Sequence, residues 1–569
     1  MHDLVISGGL VVDGSGAPAR HADVAVEGET ISAVGADLGP ARRHIDATGL
    51  LVTPGFVDIH THYDAQATWD PWMTPSSWHG VTTAVMGSCG VGFAPAAPDR
   101  HEWLIELMEG VEDIPGTALV EGITWGWESF EEYLDALDAT PRILDLGTQV
   151  AHGPVRAYVM GERGAANEPA TTDDVEQIRD LVERALRAGA LGFSTSRTPI
   201  HRSKSGELVP GTTADADELL GIGDALRRAG HGVFQYAPEH KTLPSREWGW
   251  MRELARRTGR VVSVNLNQAD DAPEVWREVL NLLDAAHRDG LPIVAQAAGR
   301  SIGLVMCLQG SLHPLMFHPA WASVALLPHA ELVAALRDPA VRERFLTVPD
   351  DDWYRKGVTE RAERMYPMAG EDVDYEPAAD RSVADIARRA GTSVMELILD
   401  LLLDTDGTGM LYVPFFNYSY GDLSFTHALH LHPHTRMGLS DAGAHCGVVC
   451  DGGTPTFMLT HWTRDRTRGP RLGLEATVHR QTRQTAELFG LRDRGLLAPG
   501  LRADINLIDY DTLGFERPRI AFDLPGGARR LVQRGRGYRA VFCAGVQTVA
   551  DDEFTGALPG RLVRGPKAG

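Results

Sequence analysis

Gly55-Phe56-Val57-Asp58-Ile59-His60-Thr61-His62 is a short apolar run closed by two histidines with one residue between them. Alternate residues of an extended chain point to the same side, so both imidazoles face one point where such a strand ends. Imidazole is a natural ligand for zinc and related borderline ions. Ahead of the run the chain reads as short β-branched strands: Leu4 to Ser7, Leu10 to Asp13, Asp23 to Val26 and Thr30 to Val34. Gly8-Gly9, Gly14-Ser15-Gly16 and Glu27-Gly28 break them with tight turns. The same texture returns at the other end, in Ala503 to Ile508 and Ala540 to Val546. Two β-rich ends around a different middle predict one small β-sandwich domain built from residues 1–53 and 495–569.

The middle alternates apolar strands with helical stretches, the pattern of βα units on a parallel sheet. Strand candidates are Gly55 to His60, Val81 to Met86, Leu144 to Val150, Ala190 to Ser194, Gly232 to Tyr236, Arg260 to Asn265, Pro292 to Gln296 and Arg436 to Ser440. Thr172-Asp173-Asp174-Val175-Glu176 opens an intervening helix with an N-cap and an acidic first turn. These strands predict an α/β fold, a (β/α)8 TIM-like metallo-barrel over 54–494, with catalytic groups at the strands' C-terminal ends. The stretch from Ser301 to Pro433 is too long for a plain connection. An insertion of about 301–380, before the last barrel strand, is expected to carry its own structure and to act as a lid.

Bulk properties exclude several partners. The balance of 54 Lys+Arg against 77 Asp+Glu gives −23, so the surface lacks the cation clusters that phosphate backbones and anionic membranes require. Arg529, Arg530, Arg534, Arg536 and Arg539 form a local exception, but only Tyr538 sits among them as a stacking platform, and a solvated face accounts for them. Five Cys in 569 residues make no disulfide framework. No apolar run approaches the ~18 residues of a membrane helix, and Met1 to Ile6 has no cationic leader. The expectation is a cytoplasmic protein acting on a small-molecule substrate, with no nucleic acid or membrane partner; the sequence is compatible with a homo-oligomer.

The N-terminal strands, the Pro54-Gly55-Phe56-Val57-Asp58-Ile59-His60-Thr61-His62 run and the late Ser440-Asp441 resemble the amidohydrolase superfamily. Gly80-Val81-Thr82-Thr83 followed by Gly87-Ser88-Cys89-Gly90 looks more narrowly like the D-aminoacylase (N-acyl-D-amino-acid deacylase) family. Gly189 to Thr195 and Ala498 to Asp504 fit the same family. The likeness covers essentially the whole chain and is weak in the insertion. It implies one or two divalent ions, zinc first, with His60, His62, Cys89 and Asp441 as ligands and Asp441 as the catalytic carboxylate. Physics agrees, since metal coordination deprotonates a thiol. Against this stand a small buried residue in a Gly-rich turn for Cys89 and a helix N-cap for Asp441.

The resemblance also implies metal-binding histidines at the ends of strands five and six. Here those ends read Phe234-Gln235-Tyr236-Ala237-Pro238 and Val264-Asn265-Leu266-Asn267-Gln268, and His240 comes three residues late. The metal is then held by His60, His62, Cys89 and Asp441 alone, or held weakly, or completed by another residue, of which His152 leads. His152, Arg197, Asn267, Gln296 and Arg300 are also the candidates for substrate contact, the arginines as bidentate carboxylate clamps. Gln235, Asn265, Asn267 and Gln296 are placed to hold substrate or oxyanion. His445, Cys446 and Cys450 lack standard zinc-knuckle spacing, and His313 and His318 are lid candidates. The expected chemistry is hydrolysis of a non-peptide linear amide, N-acyl-D-amino-acid deacylase-like, with Asp441 as general base and then acid. Hydrolysis of a cyclic amide or acylated natural product, and a non-catalytic barrel, remain as alternatives.

Overall fold

The computed structural model describes residues 1–347, 353–370 and 373–566. Residues 348–352 and 371–372 of the expected insertion, and 567–569 of the expected terminal domain, lie outside the described residues.

The parallel strands are β1 (Phe56–Asp58), β2 (Val81–Met86), β3 (Asp145–Thr148), β4 (Gly192–Ser196), β5 (Val233–Ala237), β6 (Val261–Asn265), β7 (Ile293–Ala297) and β8 (Thr435–Met437). β1, β2 and β3 form one parallel sheet, and Val150–Ala151 with β4 to β8 forms another. Each strand falls within two residues of its sequence-derived position at the N-terminal end. Periodicity fixes where an apolar run sits, while its last ladder bond depends on the neighbouring strand. Gln149 N donates to Met86 O at 3.0 Å, and the segment after β8 runs parallel to the one after β1, bridging Thr61 to Ala442. The strands are buried almost throughout, as expected where helices cover a parallel sheet.

Thr172–Ala188 is the helix its acidic first turn announced. Its N-cap is Thr171, one residue earlier than the sequence suggested, because Thr171 Oγ1 accepts from the Asp174 N–H while the Asp174 carboxylate returns a bond to the cap.

Both chain ends meet in one nine-stranded sheet. Leu51–Pro54 pairs with His2–Val11 on one side and Ile505–Ile508 on the other, opposing Val52 to Leu507. Ile6, Val24, Val52, Ile505 and Phe542 fill the core beneath it. Three of the five arginines near the C-terminus are paired with acids, Arg530 with Asp523, Arg534 with Glu553 and Arg539 with Asp509, each at 2.8 Å. Arg530 is buried rather than on the solvated face expected for it.

Between β7 and β8 lies a subunit of structure with its own core of Leu315, Leu336, Ile398, Leu402 and Leu411. Its antiparallel sheet joins Gly303–Met306, Leu411–Pro414 and Tyr366–Pro367, so it continues well past residue 380. His313 packs edge-on against Trp321, and His318 accepts from the Ala320 N–H; neither lines the cavity below.

Candidate metal centre

Past the end of β1 the chain carries His60, Thr61 and His62 inward, all essentially inaccessible to solvent. Two anchors hold this segment. Ser440 Oγ donates to Asp58 Oδ2 at 2.5 Å, and the His60 N–H reaches Asp58 Oδ1 at 3.2 Å. Burial raises the Asp58 carboxyl to about 6 despite these bonds. After β2 comes the turn Gly87-Ser88-Cys89-Gly90, with Cys89 itself at φ 55°. Gly87 has φ +78°, and a Cβ there would meet Gln149 O at 2.4 Å, so only glycine fits. Ser194 of β4 straps the turn, receiving from the Gly90 N–H at 2.9 Å and donating to Gly87 O at 2.5 Å.

One donor atom each of His60, His62 and Cys89 lies within 4.8 Å of the other two, the one such group among the described residues. His60 Nε2 stands 3.3 Å from Cys89 Sγ and 3.2 Å from Asp441 Oδ1; His62 Nε2 is 3.6 Å from the same oxygen. Asp441 arrives after β8 at φ 48°, flanked by Leu439 at φ 56° and followed by His445 at φ 51°. Left-handed non-glycine residues cost about 1–3 kcal/mol each and gather where function over-determines the backbone.

His60 is fixed from behind, and His62 has a carboxylate beside its outer nitrogen. His60 Nδ1 donates to Gln296 Oε1 at 2.7 Å, and Gln296 Nε2 is itself held by Ser263 Oγ at 3.0 Å. His62 Nδ1 faces Glu112 Oε1 at 3.2 Å. This carbonyl or carboxylate behind the ring is the usual support of a metal-binding histidine. Burial raises the Cys89 thiol, but the neighbouring His60 and His62 outweigh it and bring the thiol below its ordinary value. Burial likewise works against the Asp441 carboxylate and is outweighed by the His62 bond and the charge on His60, which hold it well below the usual range. Two imidazoles and an acidified thiol around one point, with a carboxylate beside the imidazoles, form a donor set that fits zinc.

The group floors a cavity of about 230 Å³. Glu112, His201, His240, Asn265, Asn267 and His445 add polar lining, and Ile200, Ile302, Leu304, Phe415 and Phe416 form apolar walls. Asn267 faces the cavity, with Oδ1 accepting from Asn417 Nδ2 at 3.0 Å and Nδ2 3.4 Å from His240 Nε2.

The other expected contacts are drawn elsewhere by buried partners. His152, offered above as a further ligand and a substrate contact, has Nδ1 on Thr195 Oγ1 at 2.8 Å and Nε2 on Glu218 Oε1 at 2.9 Å. Burial raises Glu218, but bonds from His152 and Arg156 pull its carboxyl down to about 2. Arg197 is paired with Glu247 at 2.8 Å. Arg300 holds Asp451 at 3.0 Å and lies over the Tyr375 ring at 3.5 Å. Gln296 serves His60 rather than the cavity. Cys446 and Cys450 join no metal group; burial pushes each thiol up to about 12.

Glu112 was missed. It ends the helix His101–Glu112 and follows Leu104 and Met108 at helical spacing of four, so it continues a face that is otherwise core. A carboxylate on a buried stripe was the available signal.

The model of the amidohydrolase family (Amidohydro_3) matches residues 43–549. D-aminoacylase of Alcaligenes xylosoxydans xylosoxydans is 27% identical over 99% of this chain and 97% of its own length. N-acyl-D-aspartate deacylase of the same organism is 28% identical over 99% and 95%. Among solved structures, a D-aminoacylase described as having a binuclear metal centre superposes with a TM-score of 0.66 at 25% identity, covering 99% of this chain and all of that one. The likeness covers nearly the whole chain. The chain belongs to the amidohydrolase family.

Proposed function

We propose that this protein is a metal-dependent hydrolase that cleaves a non-peptide linear amide, as an N-acyl-D-amino-acid deacylase does. The observation that carries the reading is the meeting of His60, His62 and Cys89 beside Asp441 on the cavity floor, in a chain whose full-length relatives are named D-aminoacylase and N-acyl-D-aspartate deacylase. The eight parallel strands are read as a closed (β/α)8 barrel over 54–494 with the insertion between its last two strands. The two ends, 1–53 and 495–569, form its β-sandwich companion. Five free, buried cysteines suit a reducing cytoplasmic setting.

A divalent ion held by His60, His62, Cys89 and Asp441, zinc by the donor set, would supply Lewis-acid polarisation of the amide carbonyl and acidify water. The chain's own residues do the rest. Asp441 takes a proton from the attacking water as its oxygen bonds to the carbonyl carbon. It then delivers that proton to the nitrogen as the C–N bond breaks, leaving a carboxylic acid and an amine. Gln296 keeps the His60 ring in the tautomer that turns Nε2 toward the shared point, and the Glu112 carboxylate lies behind His62. The walls of Ile200, Ile302, Leu304, Phe415 and Phe416 take the apolar part of a small substrate and exclude water.

A panel of N-acyl-D-amino acids, their L counterparts and cyclic amides tests this. D-selective amine release, lost in Asp441→Asn, is expected. Release from cyclic amides only, or without preference for D, would replace the deacylase reading with another amide hydrolysis.

A further inference from the structure

Cys89 has amides, not imidazoles, on its flank facing β5 and β6. Gln235 of β5 turns Oε1 to the Cys89 N–H at 2.9 Å. Its Nε2 donates to Asn265 Oδ1 at 2.8 Å, and Asn265 Nδ2 lies 3.7 Å from Cys89 Sγ. The two ends of a side-chain amide are told apart only by their hydrogen bonds. Here the sequence of bonds starts at a backbone N–H, which can only donate. Gln235 must therefore accept through oxygen, Asn265 must accept its NH2 through oxygen, and the end left facing the sulfur is the Asn265 NH2. All three side chains are buried, at 0% for Gln235, 5% for Asn265 and 6% for Cys89.

This ring of bonds has a consequence for cations. Both amide oxygens, the atoms able to bind a hard or borderline ion, are turned to hydrogen-bond donors within the ring and away from the sulfur. What meets the sulfur is the positive end of an N–H dipole, which repels a cation and favours the thiolate. Among the described residues no second group of His, Cys, Asp and Glu donors converges as His60, His62 and Cys89 do.

We propose that the Gln235–Asn265 pair closes this flank of the site to a second ion, so that the protein holds one divalent ion per chain. Asn265 is then a positioning residue that fixes the Cys89 sulfur toward His60. The inference rests on the metal-site reading above and departs from the binuclear centre described for the related D-aminoacylase.

Zinc counting tests it without recourse to activity. Metal-stripped protein is reloaded with excess zinc, desalted and analysed for zinc per chain. The cobalt-loaded form reports Cys89 ligation through its thiolate charge-transfer band. One ion per chain is expected for the wild type and two for Gln235→His/Asn265→His. Asn265→Asp keeps the side-chain shape while replacing the N–H donor by oxygen; it also should take up a second ion and serves if the double variant does not fold. Two ions in the wild type would overturn the inference and leave the site standing. One ion in folded variants would overturn the role given to the amides. No ion in the wild type would overturn the site reading itself and this inference with it.

Discussion

His60 and His62 share the labour of the site unequally with their surroundings. Each ring offers one nitrogen to the shared point while the other is held by Gln296 or faces Glu112. Replacing either histidine by alanine should abolish zinc binding, measured as metal per chain after desalting; retention of a full equivalent would move the ligand role elsewhere. Glu112→Gln keeps the shape and removes the charge behind His62. It should weaken zinc affinity by about 10–100-fold, the usual effect of losing such support, with the fold unchanged by circular dichroism. Unaltered affinity would reduce Glu112 to a bystander. These four strand-end groups, His60, His62, Cys89 and Asp441, were legible because each directly follows an apolar strand. Glu112 comes from a helix and reaches the site only through tertiary packing. His152, Arg197 and Arg300 also follow strands, but Glu218, Glu247 and Asp451 reach them from distant elements and take their polar atoms. Strand position says where a side chain starts, not which buried acid will meet it.

At the scale of elements, the turn after β2 decides whether Cys89 reaches the histidines. Gly87→Ala puts a methyl group 2.4 Å from Gln149 O at a backbone angle that alanine resists. The turn must shift, and both melting temperature and zinc content should fall together. A fall in stability with zinc content intact would separate the turn from the site. The insertion depends on a different device. Glu376, buried within it, binds Arg466 through both oxygens at 2.8 and 3.0 Å and His461 at 2.8 Å. Burial raises its carboxyl, but those bonds prevail and lower it from 4.5 to about 2. A depressed carboxyl contributes its stability above the ordinary value and loses it as pH falls through the folded one. Melting temperatures of wild type and Glu376→Gln should therefore differ most above pH 4.5 and converge toward pH 2. A gap independent of pH would remove Glu376 as the source. None of these pairings could be read in the sequence, since Glu376 and Arg466 stand on either side of the final strand. The strands themselves were legible, because apolar runs at regular intervals survive any tertiary rearrangement.

Across the whole molecule, one buried carboxylate joins the parallel strands to the end of the chain. Asp145, the first residue of β3, pairs with Arg494 at 2.7 Å and Arg502 at 2.9 Å, and accepts from the Arg561 N–H at 2.9 Å. Asp145→Ala removes the carboxylate shared by two little-exposed guanidinium groups, which keep Asp493 at Arg494 and Asp504 and Glu29 at Arg502. The loss is about 1.5–3 kcal/mol by the worth of hydrogen bonds to charged groups. Denaturant midpoints should fall accordingly, and an unchanged midpoint would show that the two regions are joined by apolar packing alone. The β texture of both ends foretold a shared sheet, but the charges that tie it to β3 lie too far apart in sequence to be seen. The central claim concerns hydrolysis that depends on the ion held beside Asp441. Its most direct measurement is amine release from an N-acyl-D-amino acid by metal-free protein titrated with zinc. Release should be absent at first, rise in proportion to bound zinc and level off when the site is filled. Equal release before zinc is added, or none once the site is full, would contradict it.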